Sequence, residues 1–306
     1  EVALGYREIE DASLHFLCPW VSADGSPDSE GRAFLVWTTT PWTVPSNTGL
    51  AVHPDLSYVE VEENGRLVVL AEERVKAVFG EDVSVKRRYK GRELAGLRYA
   101  RPLDLVPIPD ESGNGWTVVL EDFVSSEDGT GIVHVAPAFG SDDYAAGQRH
   151  GLPMLRPIDE TGCFIEGMEL VGGMFVKDAD LVLAEELKES GHLFRFGTVV
   201  HSYPHCWRCE SPLLYVARDS WFAATSKLKK EMLAHNTAAN WFPPDIGEGR
   251  MGEWLKGNVD WALSRDRYWG TPLPVWVCDA EPEHIEWIGS FADLEEHAGP
   301  LGDGFD

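Results

Sequence analysis

The first group of side chains suited to chemistry is a run of hydroxyls in Trp37–Asn47, where Thr38, Thr39 and Thr40 precede Pro41. A hydroxyl both donates and accepts hydrogen bonds, so the run could hold a water molecule or a sugar hydroxyl. The preceding residues are β-prone and the proline ends that pattern, which places the hydroxyls where a strand passes into a loop. Threonine is itself a good strand former, however, and taken alone the run is better explained by strand structure.

The second group lies in Gly129–Tyr144, which contains His134, Asp142 and Asp143. Valines flank the histidine, so alternation along a strand places the imidazole on the face opposite to both of them. A histidine in an apolar strand is more often structural than catalytic. Acidic residues at a helix start cap backbone amides and complement the helix dipole. Each of these residues therefore has a structural explanation when it is considered alone.

Strands and helices of mixed order must position these two groups. The predicted strands are residues 34–40, a hairpin over 58–70 around Asn64-Gly65, and residues 83–89, 116–123 and 131–136. The predicted helices are residues 71–79, 142–150 and 179–190, each followed by glycine, with Asp178 as a candidate cap of the last. Without regular βαβ alternation, this order predicts an α+β fold with a curled, barrel-like sheet and peripheral helices.

Composition limits the class of protein. The chain has 306 residues, 43% hydrophobic and 25% charged, which is typical of a globular protein. No apolar stretch is long enough to span a bilayer, no signal peptide is visible, and five cysteines do not make a disulfide framework. We therefore expect a cytoplasmic protein without a membrane anchor. The net charge of -25 opposes a broad, sequence-independent grip on nucleic acid.

Cys206 and Cys209 have the Cys-x-x-Cys spacing of a zinc knuckle, but the sequence shows no second pair of ligands. His205 is a candidate substitute ligand. A thioredoxin-like redox role is disfavoured because no βαβ unit surrounds the pair. The pair is therefore at most half of a zinc site.

Both motifs resemble the hydrolytic editing domain of isoleucyl-tRNA synthetases. The first reads Thr-Thr-Thr-Pro-Trp-Thr, and the second reads Gly-Thr-Gly-Ile-Val-His-x-Ala-Pro-x-x-Gly-x-Asp-Asp-Tyr. The Trp-Thr pair after the threonines points to the isoleucine enzymes, because the valine and leucine enzymes have Arg-Pro there. The family's ATP signatures, His-Ile-Gly-His and Lys-Met-Ser-Lys-Ser, do not occur in the chain. ATP binding is thus expected only in a longer parent enzyme.

The resemblance implies removal of valine from tRNA for isoleucine, and in addition hydrolysis of valyl-adenylate. Asp143 would bind the α-ammonium group, His134 would form part of the pocket wall, and Thr38, Thr39, Thr40 and Asn47 would position the terminal ribose and the attacking water. Trp37, Trp42, Ala136 and Asp142 complete the expected substrate-binding set. No metal or other cofactor is expected for the hydrolysis. Another Cys pair, which the family carries upstream, would complete a zinc site with Cys206 and Cys209 in the parent.

The editing domain is expected to span residues 15–195, after a connective strand segment at 1–14 and before an irregular connective segment at 196–306. The expected partners are the tRNA 3′ end and the rest of the parent enzyme, with a monomer as the default state. The basic stretch 85–92 is more readily a solvated strand than a contact for the tRNA end. Two alternatives stay open, namely a valine-type domain that clears threonine and a noncatalytic tRNA-docking module.

Overall fold

A computed structural model of the chain describes residues 5–22, 24–81, 83–108, 113–265, 273–300 and 302. The extreme ends of the first and last expected segments, residues 1–4 and 303–306, lie outside this range. The chain divides into two compact units, Glu1–Ala217 and Arg218–Asp306. Both polar motifs lie in the first unit.

A mixed sheet dominates the first unit. Its strands are β1 (Tyr6–Val21), β2 (Arg32–Thr38), β3 (Gly49–Val52), β4 (Ser57–Glu63), β5 (Arg66–Ala71), β6 (Val85–Lys90), β7 (Arg98–Tyr99), β8 (Thr117–Leu120), β9 (Val133–Val135) and β10 (Leu193–Pro204). Their order across the sheet is β6-β4-β5-β2-β1-β7-β8-β3-β9, and β10 pairs with β1. Within the described residues β6 pairs only with β4 and β9 only with β3, so the sheet is open. The α+β class is confirmed, whereas the expected barrel-like sheet does not close.

Local sequence explains the β4–β5 hairpin. Asn64 and Gly65 have φ values of 50° and 78°, and a two-residue type I′ turn needs positive φ at both positions. The pairing runs outward from Glu63 and Arg66. The predicted hairpin is therefore confirmed.

Helices of the first unit are short: α1 (Val75–Phe79), α2 (Gly91–Leu94), α3 (Ser141–His150) and α4 (Asp180–Glu189). Helix α3 ends at Gly151, whose left-handed backbone (φ 65°) makes it a favourable C-terminal cap. Helix α4 buries Leu183 and Leu187, one turn apart. It begins after Ala179 without a side-chain cap, so the predicted capping role of Asp178 is wrong.

The core lies on both faces of the central strands. Leu14 and Phe16 of β1 belong to one buried cluster, and Leu17 of the same strand belongs to another. Helix α4 contacts β1, β10 and the segment Pro41–Ser46. The threonine-rich segment is therefore enclosed between the sheet and a helix from late in the chain.

The second unit contains β11 (Phe222–Ala223), α5 (Lys229–Ala238), α6 (Gly252–Lys256), β12 (Trp261–Ala262), β13 (Val275–Val277), β14 (Ile285–Trp287) and α7 (Phe291–Ala298). Among its described residues, Leu255 and Ile288 are the buried large hydrophobic side chains. Trp254 and Trp261 are 65% and 60% exposed. This unit has little core of its own.

The division into units differs from the expected boundaries. Residue 195 lies inside β10, which pairs with β1 from Tyr6 opposite Pro204 to Phe16 opposite Leu193. This pairing holds β10 and the first half of β1 in the same unit as the motifs, and the division falls after Ala217. No helix in the described part of the chain is long and apolar enough to cross a membrane.

Candidate active site

Strand pairing brings the two motifs together. Strand β2 ends at Thr38, a 3-10 helix spans Pro41–Ser46, and β3 begins at Gly49. Strand β9 pairs antiparallel with β3, which places His134 opposite Leu50. The imidazole consequently lies beside the segment that follows the threonines.

A cavity of about 270 Å³ opens between the motifs. Its lining residues are Trp37, Thr38, Thr39, Thr40, Thr43, Val133, His134, Ala136, Phe139 and Asp143. The structure thus brings most of the sequence-predicted site residues to one place, but Trp42, Asn47 and Asp142 do not line this cavity. Thr43, Val133 and Phe139 line it without having been assigned a role from the sequence.

Trp42 and Asn47 support the cavity from behind. Trp42 is 3% exposed and packs edge-on against Phe139, with ring centroids 4.9 Å apart. Asn47 is fully buried. Asp142, in contrast, is exposed at the start of α3.

Trp37 is held in the cavity wall by Gly129. This glycine has φ 60°, and a Cβ there would lie 2.8 Å from the Trp37 ring. Any other residue would be strained in its backbone and would push the ring aside. The first glycine of the second motif therefore permits the indole of the first motif to pack where it does.

The threonine hydroxyls form one hydrogen-bonded group. The Oγ1 atoms of Thr38 and Thr40 are 3.2 Å apart, and those of Thr40 and Thr43 are also 3.2 Å apart. The amide of Thr40 donates to Thr38 Oγ1 at 3.1 Å. Among the described residues, the Thr39 hydroxyl has no hydrogen-bond partner. It is therefore the hydroxyl of the run that is free to bond a ligand in the cavity.

His134 is bonded on both sides of its ring. Nε2 lies 2.8 Å from Thr43 Oγ1, and Nδ1 lies 3.0 Å from Asn47 Nδ2. Burial lowers the pKa of the imidazole to about 4, so the ring is neutral at physiological pH. A neutral ring whose nitrogens are both occupied forms a wall of the site and supports the hydroxyl group; it is poorly placed to accept a proton from water.

Asp143 is the carboxylate of the cavity. Its Oδ1 accepts a hydrogen bond from the Ala136 amide at 2.9 Å. A Cβ at Gly140 would collide with Asp143 Oδ2, so only glycine leaves room for the carboxylate. Burial raises the pKa of Asp143 above its ordinary value. A partly desolvated carboxylate of this kind pairs strongly with a cation.

A buried carboxyl group that the sequence motifs did not indicate anchors the threonine segment. Asp180 of α4 is 5% exposed, and its Oδ1 accepts a hydrogen bond from the Trp42 amide at 2.9 Å. Burial raises the pKa of Asp180 to about 7, although nearby Lys177 opposes the rise. This contact joins α4 to the first turn of the 3-10 helix.

We expect the free energy of unfolding of the wild type to fall as the pH rises from 5 to 8, and we expect Asp180→Asn to reduce that fall. The Asp180 carboxyl group binds its proton more tightly in the folded chain than in the unfolded chain. Protonation of Asp180 therefore stabilises the fold at low pH, and this stabilisation is lost as the pH rises through about 7. The wild type should lose on the order of 2 kcal/mol over that range through Asp180, whereas the variant should not. Thermal unfolding at both pH values measures the difference. The exposed neighbour Asp178, changed to Asn, should behave like the wild type, and equal pH dependence in all three proteins would contradict the assignment.

The basic stretch 85–92 lies largely on β6, the edge strand of the sheet. Four of its five basic side chains are paired with acids: Lys86 with Glu62 at 2.9 Å, Arg87 with Glu30 at 3.1 Å, Arg88 with Glu72 at 3.0 Å and Arg92 with Asp55 at 2.8 Å. The fifth, Lys90, donates to the Ser57 hydroxyl at 3.0 Å. Neutralised pairs attract phosphates weakly. The arrangement favours the solvated strand over a contact for the tRNA end.

Cys206 and Cys209 begin and end a tight turn, where the Cys206 amide donates to Ser211 O at 2.8 Å. Hydrogen bonding from Ser211 lowers the pKa of Cys209 to about 7, which favours the thiolate that zinc requires. His205 Nδ1 lies 3.0 Å from Tyr203 O, so this ring nitrogen is already hydrogen-bonded. Among the described residues no group of three or more His, Cys, Asp or Glu side chains is arranged to hold a metal ion.

A family model described as tRNA synthetases class I (I, L, M and V) matches residues 21–298. The chain therefore belongs to the class I tRNA synthetases.

More specifically, the relatives of the chain are isoleucine–tRNA ligases. The enzyme of Thermus thermophilus is 44% identical over 100% of this chain and 29% of its own length. That of Thermobifida fusca is 45% identical over 98% of this chain and 28% of its own length. These relatives confirm the resemblance seen in the two motifs, and the chain spans less than a third of their length.

Among solved structures, the chain is similar to the crystal structure of the P. knowlesi cytosolic leucyl-tRNA synthetase editing domain. Its TM-score to this chain is 0.44 at 11% identity, and the match covers 61% of this chain and 96% of that domain.

Proposed function

We propose that the first unit hydrolyses the ester that joins valine to the 3′ end of tRNA for isoleucine, and that it also accepts valyl-adenylate. The observation that carries this proposal is a single cavity in which the hydroxyls of Thr38, Thr39 and Thr40 share the lining with one half-buried carboxylate. An aminoacyl ester needs this combination, because it presents an ammonium group and ribose hydroxyls a few bonds apart.

Asp143 would bind the α-ammonium group of the amino acid. Its partly buried carboxylate is anchored through the Ala136 amide, and a charge-assisted hydrogen bond is about twice as strong as a neutral one. The exposed Asp142 would contribute at most to the local charge. The ammonium would therefore fix the amino acid end of the substrate at the start of α3.

The threonines would bind the terminal ribose and the attacking water. Thr39 offers a free hydroxyl, and Thr38 and Thr40 are held in the group that ends at His134. Within the described part of the chain no serine or cysteine lines the cavity, so direct attack by a positioned water explains the site better than a covalent intermediate. Asn47 would act on the ribose and water only indirectly, because it lies behind His134.

Selectivity would come from the size of the pocket. One methylene group in an apolar pocket is worth only about 1–3 kcal/mol, a value known from isoleucine-activating enzymes themselves and not obtained from this structure. One pocket that selects isoleucine over valine therefore discriminates weakly. A second, hydrolytic pocket that admits valine and excludes isoleucine multiplies that small difference. His134, Phe139 and Trp37 supply the bulk of such a wall here.

An open cavity also favours catalysis over a noncatalytic docking module, for which we would expect a site filled by its own side chains. A valine-type domain that clears threonine would need a free polar partner for the substrate hydroxyl in the side-chain pocket. His134 does not provide one, since both of its ring nitrogens are already bonded.

The proposal extends to partners and location. We expect the tRNA end and the remainder of a longer synthetase as partners, with a monomeric, cytoplasmic protein. Zinc binding by Cys206 and Cys209 would require two further ligands. It plays no part in the proposed hydrolysis.

We expect the chain to deacylate valyl-tRNA for isoleucine faster than isoleucyl-tRNA, by about tenfold or more, because one methylene is worth about 1–3 kcal/mol. Activity should persist after treatment with a chelator, since water attack is attributed to positioning by hydroxyls. Release of radiolabelled amino acid measures both rates, and threonyl-tRNA for valine tests the valine-type alternative. Equal loss of valine and isoleucine, or loss of activity that zinc restores, would contradict the proposal.

A further inference from the structure

Tyr99 lies behind the cavity and does not line it. It belongs to the short strand β7, between β1 and β8, and is 2% exposed. Its hydroxyl donates to Asn47 Oδ1 at 2.6 Å, a short and well-formed hydrogen bond. Burial raises its pKa well above the ordinary value, so the phenol stays protonated and remains a donor.

The side-chain amide of Asn47 has one orientation, and this orientation fixes the tautomer of His134. Its Nδ2 lies 3.1 Å from Gly49 O, and a carbonyl oxygen can only accept. Nδ2 is therefore the amide nitrogen and Oδ1 faces Tyr99. The same Nδ2 donates to His134 Nδ1, so that ring atom carries no proton.

The contact of His134 Nε2 with Thr43 indicates the same tautomer, in which the proton is on Nε2. Thr43 Oγ1 donates its only proton to Thr40 O at 2.8 Å, because that carbonyl also can only accept. At its other two contacts Thr43 must then accept, from His134 Nε2–H and from the Thr40 hydroxyl. Thr38 in turn donates to Thr40 Oγ1. The protons of Thr38, Thr40 and Thr43 are all used inside the protein.

We infer that Tyr99 is a positioning residue of the proposed hydrolytic site: its buried hydroxyl fixes the Asn47 amide, and through it the His134 ring and the threonine hydroxyls. This inference rests on the proposed function. In the resulting arrangement Thr38 and Thr40 offer only lone pairs to the cavity. They would therefore accept hydrogen bonds from the attacking water or a ribose hydroxyl, which orients the oxygen lone pairs of that group away from them.

The test is Tyr99→Phe, which removes the hydroxyl and keeps the ring. Asn47 Oδ1 then lacks a donor in a buried place, which is costly enough to loosen the amide. In ¹⁵N spectra of the ring, wild-type His134 should be a single Nε2–H tautomer with a hydrogen-bonded Nδ1. The variant should show a shifted Nδ1 signal or a second tautomer, together with a kcat for valyl-tRNA deacylation that is lower by about tenfold at unchanged KM.

Tyr58→Phe is the matched control. Tyr58 is also fully buried. Its hydroxyl donates to Gly131 O at 2.9 Å and accepts from the His53 amide at 2.9 Å, and neither partner belongs to the hydrogen-bonded group of Tyr99, Asn47, His134 and the threonines. Tyr58→Phe should lower thermal stability at least as much as Tyr99→Phe, because two backbone groups lose a partner, without altering the His134 spectrum. A Tyr99→Phe protein with an unchanged spectrum and unchanged kcat would overturn the inference, as would a wild-type His134 protonated on Nδ1, a result that needs no variant. If the wild type hydrolyses no ester, the proposed function fails, while the spectra still decide the role of Tyr99.

Discussion

Asp143→Asn is expected to lower the rate of valyl-tRNA deacylation on the order of 100-fold, because a charge-assisted bond in a partly buried site is worth up to about 3 kcal/mol. Asparagine retains the shape of the side chain and an oxygen for the Ala136 amide. It removes only the negative charge that would hold the α-ammonium group. The fold should therefore be kept while substrate binding and orientation are lost.

Asp142→Asn provides the control for this prediction. It removes the same charge from the adjacent residue, which is exposed and outside the cavity lining. The deacylation rate of Asp142→Asn should differ little from that of the wild type. The ratio of the rates of the two variants then measures how much the position of the carboxylate matters in addition to its charge. Gly140→Ala should resemble Asp143→Asn, because its added methyl group displaces the carboxylate. Wild-type rates in a folded Asp143→Asn protein would remove Asp143 from its assigned role.

The wild-type rate should also fall as the pH is lowered. Burial raises the pKa of Asp143 above its ordinary value, so the carboxylate is protonated at a less acidic pH than an exposed one. Bound ammonium opposes this effect by stabilising the charged form. The Asp143→Asn variant should lack this pH dependence, and the comparison distinguishes the titration of Asp143 from that of other groups.

Local sequence patterns predicted the hairpin and helix α3 because their determinants are local. Asn64 and Gly65 adopt the positive φ values that define the turn, and Gly151 ends α3 in a left-handed conformation. The helix at residues 71–79 was only partly predicted, since a 3-10 turn precedes α1 (Val75–Phe79). Strand and helix ends depend on one or two hydrogen bonds, which composition does not specify.

The long strands β1 and β10 could not be predicted from periodicity. The second half of β1 is buried on both faces, with Phe16 and Leu17 in different clusters, so its residues do not alternate between polar and apolar. Its first half, from Tyr6, is rich in charged residues and pairs with β10. That pairing joins the two ends of the unit, and no local pattern reports a partner so distant in sequence.

The sequence identified residues of the candidate site, but it did not show which of them line the cavity and which support it from behind. The motifs identified Thr38 and Asp143, which line the cavity, together with Asn47 and Trp42, which lie behind it. Sequence alternation cannot separate a lining residue from a supporting one when both stand next to a loop. Asp180 and Tyr99 were missed because nothing in their own segments marks them, and only the fold brings them to the threonine segment.

His134→Ala is expected to lower the preference for valyl-tRNA over isoleucyl-tRNA by about 10- to 200-fold, the range that about 1–3 kcal/mol provides. The imidazole forms part of the cavity wall and packs edge-on against Phe16, with ring centroids 6.2 Å apart. Its removal leaves room for the additional methylene of isoleucine. Thermal stability should also fall, because Asn47 Nδ2 and Thr43 Oγ1 each lose a buried partner.

Thr43→Val distinguishes the role of the His134 ring as a cavity wall from its role as a hydrogen-bond partner of Thr43. It removes the hydroxyl that His134 Nε2 contacts at 2.8 Å while keeping a side chain of similar shape. Hydrolysis of valyl-tRNA should slow, because Thr40 loses the acceptor that orients its hydroxyl, but isoleucine should still be excluded. Parallel deacylation assays on both substrates give the two ratios. If a folded His134→Ala protein still rejects isoleucyl-tRNA as the wild type does, the ring does not form the wall, and exclusion must come from Phe139 and Trp37 on the other sides of the cavity.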